Sequence, residues 1–191
     1  MAVLQALRRG LPSVFTLILA AACAPVPPAA DTAAPTLAPP LGPARHILQL
    51  VTATWPGGSD SLLCALELTA ERIAMAGTSK DGLSLFNLSY DGKNLALDKN
   101  PLLPDAIDPR AIVADMQLIY WPVAQLQDRL VPGWHLQTGA NRRELFQGAE
   151  KIAEIVYLSN EADWPRHAEL ANLRYRYRLT IDTLSYELLP E

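Results

Sequence analysis

The sequence predicts an α+β fold: a curved, mostly antiparallel, half-barrel-like sheet with a kinked helical segment against its concave side. Three observations predict it. Apolar residues alternate with period two through the first half of residues 45–191 and again near the end. The middle, from Asp108 to Leu130, switches to helical spacing. Turn residues divide the runs, so the order is several strands, then helix, then strands.

The elements follow in order. His46, Leu48 and Leu50 open a first strand that ends near Trp55, and Pro56-Gly57-Gly58-Ser59-Asp60 reads as a loop. Leu62, Cys64, Leu66 and Leu68 share one face of a second strand. Ile73 and Met75 mark a third, closed by Asp81-Gly82. Phe86, Leu88 and Tyr90 share one face of a fourth. Asp91-Gly92 reads as a two-residue hairpin turn into Lys93–Leu97. Asp108 suits a helix N-cap and Pro109 the first helical position. Ile112, Val113, Met116, Ile119 and Tyr120 fall on one helical stripe, and Trp121-Pro122 ends or kinks it. Val123, Leu126 and Leu130 form a second helical stretch, stopped by Pro132-Gly133. Ala153, Ile155 and Tyr157 alternate in a strand, and Leu173–Thr183 reads as a long final strand. In that strand Tyr175, Tyr177, Leu179 and Ile181 occupy one face and Arg174, Arg176, Arg178 and Asp182 the other.

The N-terminus carries a different signal. Arg8 and Arg9 precede an apolar run from Leu11 to Ala22 that ends in Ala20-Ala21-Ala22, the layout of an export signal. Cys23 follows at once. Residues 1–22 therefore read as a lipoprotein signal peptide, with Cys23 as the acylated residue; the alternative is a plain secretory signal cut near Ala22. Leu19 stands one place before the position where a lipoprotein signal prefers leucine. Residues 23–44, with prolines at 25, 27, 28, 35, 39, 40 and 43, read as an extended Pro/Ala-rich tether. Residues 45–191 form the single globular domain. With Cys23 lipid-bearing, Cys64 is left alone, in an apolar strand where a thiol acts as a small hydrophobe.

Composition bounds the function. Hydrophobic residues make up 50% and charged residues 19%, which suits a packed core. A formal net charge of −4 argues against nucleic acid as a partner. His46, His135 and His167 are far apart and belong to no metal-ligand spacing, so no metal and no cofactor is expected. No catalytic signature is present: the acids Asp105, Asp108 and Asp115 are close in sequence, but Asp108 is explained as a cap. Hence no catalytic residues are assigned and the expectation is a non-enzymatic protein. Tyr90, Trp121, Tyr157, Tyr175 and Tyr177 lie on or beside inward faces, where they either line an apolar ligand cavity or fill an ordinary core. The run Arg174–Arg178 either grips phosphate or carboxylate groups or is an amphipathic strand with its arginines in water.

Certain motifs carry a resemblance. Phe86-Asn87-Leu88-Ser89-Tyr90-Asp91-Gly92, Leu103-Pro104, Asp108-Pro109-Arg110, Ala114-Asp115-Met116-Gln117-Leu118 and Trp121-Pro122 are joined by Trp164-Pro165, Leu170-Ala171-Asn172 and Tyr177–Thr183. Together with the lipoprotein signal, they resemble an uncharacterised family of Gram-negative lipoproteins often encoded beside aryl-polyene synthesis clusters, with carrier-protein and exporter genes. That family has no established activity, so it transfers no site residues. The architecture also resembles LolB, the outer-membrane receptor that accepts lipoproteins from a periplasmic carrier and encloses an apolar cavity for acyl chains. These resemblances, with Ala24 rather than Asp after Cys23, imply the periplasmic face of the outer membrane. They imply an apolar lipid or polyene-lipid ligand, with a periplasmic carrier or exporter as partner. The other expectation is a scaffold or assembly partner of an envelope exporter or synthase complex.

Overall fold

The computed structural model describes residues 36–103, 108–161 and 164–190. The signal segment, Cys23, Ala24 and Asp105 lie outside the described residues.

The first five strands form a meander: β1 (Arg45–Trp55), β2 (Gly58–Leu68), β3 (Ile73–Ser79), β4 (Ser84–Tyr90) and β5 (Leu95–Lys99). Helices α1 (Pro109–Tyr120) and α2 (Val123–Gln127) follow. A second meander returns: β6 (Trp134–Thr138), β7 (Arg142–Gln147), β8 (Glu150–Glu161), β9 (Trp164–Asn172) and β10 (Tyr177–Leu188). β10 pairs antiparallel with β1, joining the two meanders into one sheet of order β5-β4-β3-β2-β1-β10-β9-β8-β7-β6. Every pairing is antiparallel, and the curved sheet stays open, with β5 and β6 at its edges. The α+β expectation is met.

Alternation decides the core. Cys64, Leu66 and Leu68 on β2, Phe86, Leu88 and Tyr90 on β4, and Ile155, Ala168 and Leu170 on β8 and β9 are buried, as are Ile47 and Gln49 on β1. On β1 the inward set is thus the odd-numbered one, and Leu48 and Leu50 take the other face. The inward faces pack on α1, whose Val113, Met116, Gln117, Leu118 and Ile119 are buried. Asp108 caps α1, accepting from the Arg110 N–H at 2.8 Å, with Pro109 next, as the sequence reads. Burial pushes the Cys64 thiol up to about 12, so it stays protonated and behaves as an apolar filler.

Four expectations are corrected. The Asp91-Gly92 turn spans four residues, because Tyr90 registers with Leu95. The Asp91 carboxylate accepts from the Asn94 and Lys93 N–H groups, and these bonds hold it down at about 2. Strands β6, β7 and β9 have no counterpart in the sequence reading. The final strand starts at Tyr177 rather than Leu173: residues 173–176 are a turn, and Arg176 adopts φ +59°. The arginines therefore do not share a strand face. Arg174 lies over the Trp134 ring and donates to Gln147, whereas Arg178 pairs with Glu169.

The last part of the stretch read as tether is packed. Leu37 and Ala38 are buried. The Gln117 side chain accepts from the Ala38 N–H at 2.9 Å and donates to the Ala38 carbonyl at 2.7 Å. Trp121 Nε1 donates to the Pro39 carbonyl at 3.0 Å. A proline-rich segment has few donors of its own, and here the helix side chains supply the partners its backbone needs.

Candidate functional site

The helix α1 ends where the chain turns at Trp121-Pro122, and its last carbonyls need partners from elsewhere. The sheet provides them. Arg143 on β7 donates through Nη1 to the carbonyls of Leu118 (3.1 Å) and Trp121 (2.6 Å). The Tyr157 hydroxyl on β8 donates to the Ile119 carbonyl at 2.5 Å. α1 has no basic residue in its own last turn, so the Arg143 guanidinium is the cation that its negative end attracts. The same guanidinium lies 5.6 Å from the Tyr157 ring centroid. Burial pushes the Tyr157 phenol up to about 12, so it remains a donor.

Beside this junction lies a cleft of about 400 Å³. Tyr120, Tyr157, Trp164 and Ile119 are among its lining residues, although Trp164 and Ile119 are themselves buried. It is also lined by Arg45, Arg143, the β6–β7 turn at Gly139-Ala140 and the start of β7 at Arg142, whose guanidinium pairs with Glu154 on the other face of the sheet. Trp164 is sandwiched: its centroid lies 4.1 Å from Tyr120 and 5.7 Å from Tyr186, with the Arg45 guanidinium carbon 5.5 Å from the ring. Below, Gln49 donates to the Tyr120 hydroxyl at 2.7 Å and to Thr183, and Thr183 donates to the Pro165 carbonyl. This network fixes the stacked pair. The Trp164 indole N–H is buried and has no hydrogen-bond partner among the described residues.

The five aromatics proposed as ligand contacts do not converge. Tyr157 alone lines the cleft. Tyr90 and Trp121 are buried in the filled core, Trp121 held by Pro39. Tyr177 sits elsewhere under α1, donating to Asp115 and accepting from Asn172 Nδ2 at 3.1 Å. Burial is what raises Asp115, to about 6, and the Tyr177 hydroxyl opposes the rise. Tyr175 is 61% exposed, because the turn at 173–176 takes it off the inward face. The sequence reading missed Trp164, Tyr120, Arg45 and Arg143 as a set. Trp164-Pro165 stood out only as a motif and Tyr120 only as part of the helical stripe.

The fold and cleft define a class: an open antiparallel half-barrel, closed on its concave side by a helix, with a cleft lined by Tyr120, Tyr157, Arg45 and Arg143 at one end of that helix. The chain belongs to the family described as protein of unknown function (DUF3261), which matches residues 46–185. Among solved structures it is similar to a LolA superfamily protein from Nitrosomonas europaea, at 10% identity and TM-score 0.47, covering 78% of this chain and 87% of that one. It is also similar to a DUF1329 family protein from Desulfovibrio piger, at 6% identity and TM-score 0.42, covering 76% and 85%. None of the curated proteins matches it.

Proposed function

We propose that the chain is a non-enzymatic binding protein, anchored through acylated Cys23 to the periplasmic face of the outer membrane. It receives an apolar lipid or polyene-lipid chain and passes it to a periplasmic carrier or exporter. The observation that carries this reading is the cleft: about 400 Å³, with Tyr120, Tyr157, Trp164 and Ile119 among its lining residues, and open beside the end of α1. That volume lies within the range of about 300–1,000 Å³ of small-molecule sites. The lining is mixed, slightly more polar than apolar, so the ligand's own apolar area, at roughly 25 cal/mol per Å² buried, supplies most of the driving force. The anchor rests on the signal layout before Cys23, and the polyene chemistry on the motif resemblance. Two or more acyl chains on one cysteine hold a protein effectively permanently, at about 0.8 kcal/mol per buried CH₂.

Mass spectrometry of protein extracted from native membranes tests both halves. The expected result is a mature N-terminus at a lipid-modified Cys23 and a co-extracted apolar molecule. An unmodified thiol, or a start elsewhere, removes the anchor; a preparation that neither carries nor takes up lipid removes the binding role.

The scaffold reading rests on a different surface. On the outer face of β1 and β2, Leu48 opposes Ala65 and Leu50 opposes Leu63, and Leu63 and Ala65 are exposed. Leu63→Lys and Leu50→Ser that abolish function in the host with lipid uptake intact would favour it; unchanged function would exclude it.

A further inference from the structure

The two ends of the sheet differ in what their turns expose. In an antiparallel meander alternate turns share an end. Residues 56–57, 80–83, 100–103, 148–149 and 173–176 lie at the first end. Residues 69–72, 91–94 and 139–141 lie at the second, with the start of β1 and the end of β10. At or beside the turns of the first end stand Trp55, Leu83, Leu102, Leu173 and Tyr175, all exposed. They are five of the nine large hydrophobics exposed among the described residues. Of the other four only Leu188 stands at a strand terminus, and the turns of the second end hold none. The turns of the first end also carry Lys80, Arg174 and Arg176 against one acid, Asp81, in a chain of formal net charge −4. Lys80 and Arg176 are exposed. Aromatic and aliphatic tips among basic side chains suit the headgroup layer of a bilayer, where rings bury their apolar bodies and cations meet phosphates.

The path of the packed N-terminal segment supplies a second, independent observation. It enters β1 at the second end, where Pro40 approaches Gly92 and Gly42 approaches Ala70. Read backwards from there, it follows α1: Pro39 is bonded to Trp121, and Ala38 to Gln117, one helical turn earlier. α1 runs from the first end, where Asp115 meets Tyr177 at the start of β10, to the second, where Tyr120 stacks on Trp164. The chain that leads back to Cys23 therefore heads for the first end. Twelve residues, 24–35, separate Cys23 from the packed segment, and a proline-rich spacer of that length reaches about 37 Å at about 3.1 Å per residue. We propose that the first end is the face this domain lays on a lipid bilayer, with the five exposed side chains in the headgroup layer and Lys80 and Arg176 against its phosphates. The proposal rests on the Cys23 anchor of the reading above and adds which end of the domain meets the lipid. The cleft lies at the second end, beside Arg45 and the β6–β7 turn, so it opens away from that bilayer.

The test uses mature protein extracted from native membranes and placed in nanodiscs of phosphatidylethanolamine and phosphatidylglycerol, with and without bromine on the acyl chains. Bromine quenches indole fluorescence only at close approach. Quenching is expected, and Trp55→Phe should remove most of it, because Trp121 and Trp164 are buried. Lys93→Trp places an indole in the 91–94 turn; added to Trp55→Phe, it should not restore the quenching. Leu83→Ser with Tyr175→Ser should lower the quenching of Trp55 with the melting temperature held, since both side chains are exposed. Mass spectrometry of the same preparation reads the state of Cys23. An acylated chain without quenching, or one quenched through Lys93→Trp, overturns the orientation and leaves the anchor standing. Quenching at Trp55 in a chain with an unmodified Cys23 supports the lipid face and removes the anchor. An unmodified Cys23 without quenching overturns both.

Discussion

Replacing Gln117 by Met tests how the N-terminal strap is fastened to the helix that closes the sheet. Met keeps the shape of the side chain and removes both bonds to Ala38, which are 2.9 and 2.7 Å long. Both residues are essentially inaccessible, so water cannot replace the lost partners. If the strap stayed docked, two buried backbone groups would be left unpaired, at about 1–3 kcal/mol each. The strap has a second option, which is to leave. Leaving exposes Leu37, worth about 2–3 kcal/mol, and breaks the Trp121–Pro39 bond, worth about 1 kcal/mol. The cheaper route sets the cost, so the expected loss is about 2–4 kcal/mol, or about 5–15 °C in melting temperature for a domain of this size. Urea unfolding followed by tryptophan fluorescence reads the loss, and hydrogen exchange locates it. The Ala38 amide should be protected in the parent chain and exchange freely in the variant. A loss below about 0.5 kcal/mol with Ala38 still protected would refute the reasoning.

Three further outcomes are expected. A Cβ on Gly77 would stand 2.3 Å from Cε1 of buried Phe86, so Gly77→Ala should cost about 1–3 kcal/mol in chemical denaturation, and Phe86→Leu in the same chain should recover part of it. Asp115 is held up near 6, above the ordinary carboxylate value, so the folded state binds more protons than the unfolded one between about pH 4 and 6. Stability should therefore fall as pH rises through that window, and Asp115→Asn should flatten the fall; an unchanged melting profile from pH 4 to 7.5 would count against a buried acid there. Arg143→Ala strips two carbonyls of α1 of their charged donor, at about 1.5–3 kcal/mol, and should raise hydrogen exchange at the α1–α2 junction more than in β1–β3.

Local rules made much of the fold legible. Period-two alternation placed Leu62–Leu68 and Phe86–Tyr90 correctly because one face of each strand is buried. The Asp108-Pro109 pair fixed the start of α1 through hydrogen bonding and a preset φ, which need no tertiary information. Strands β6 and β7 were invisible for the converse reason: at the sheet edge most of their residues are half-buried or exposed, so their sequence has little alternation to show. Tyr175 was misplaced because alternation continues through Arg174–Arg178 while the backbone turns at Arg176. Residues 36–40 were read as spacer from their prolines, but Gln117 and Trp121, about eighty positions away, bond their backbone and Leu37 packs into the core. The cleft follows the same pattern. Arg45, Arg143, Tyr157 and Trp164 come from four strands, and their meeting depends on β1 pairing with β10, a long-range fact with no local signature.

The most direct measurement of the binding account is photocrosslinking with a diazirine-bearing fatty acid on the full chain, mapped by peptide mass spectrometry. Adducts should fall on the cleft: Ile119–Val123, Thr138–Arg143, Tyr157 and Trp164-Pro165. Adducts confined to the outer face of β1 and β2 around Leu50 and Leu63, or none competed by unlabelled fatty acid, would contradict it.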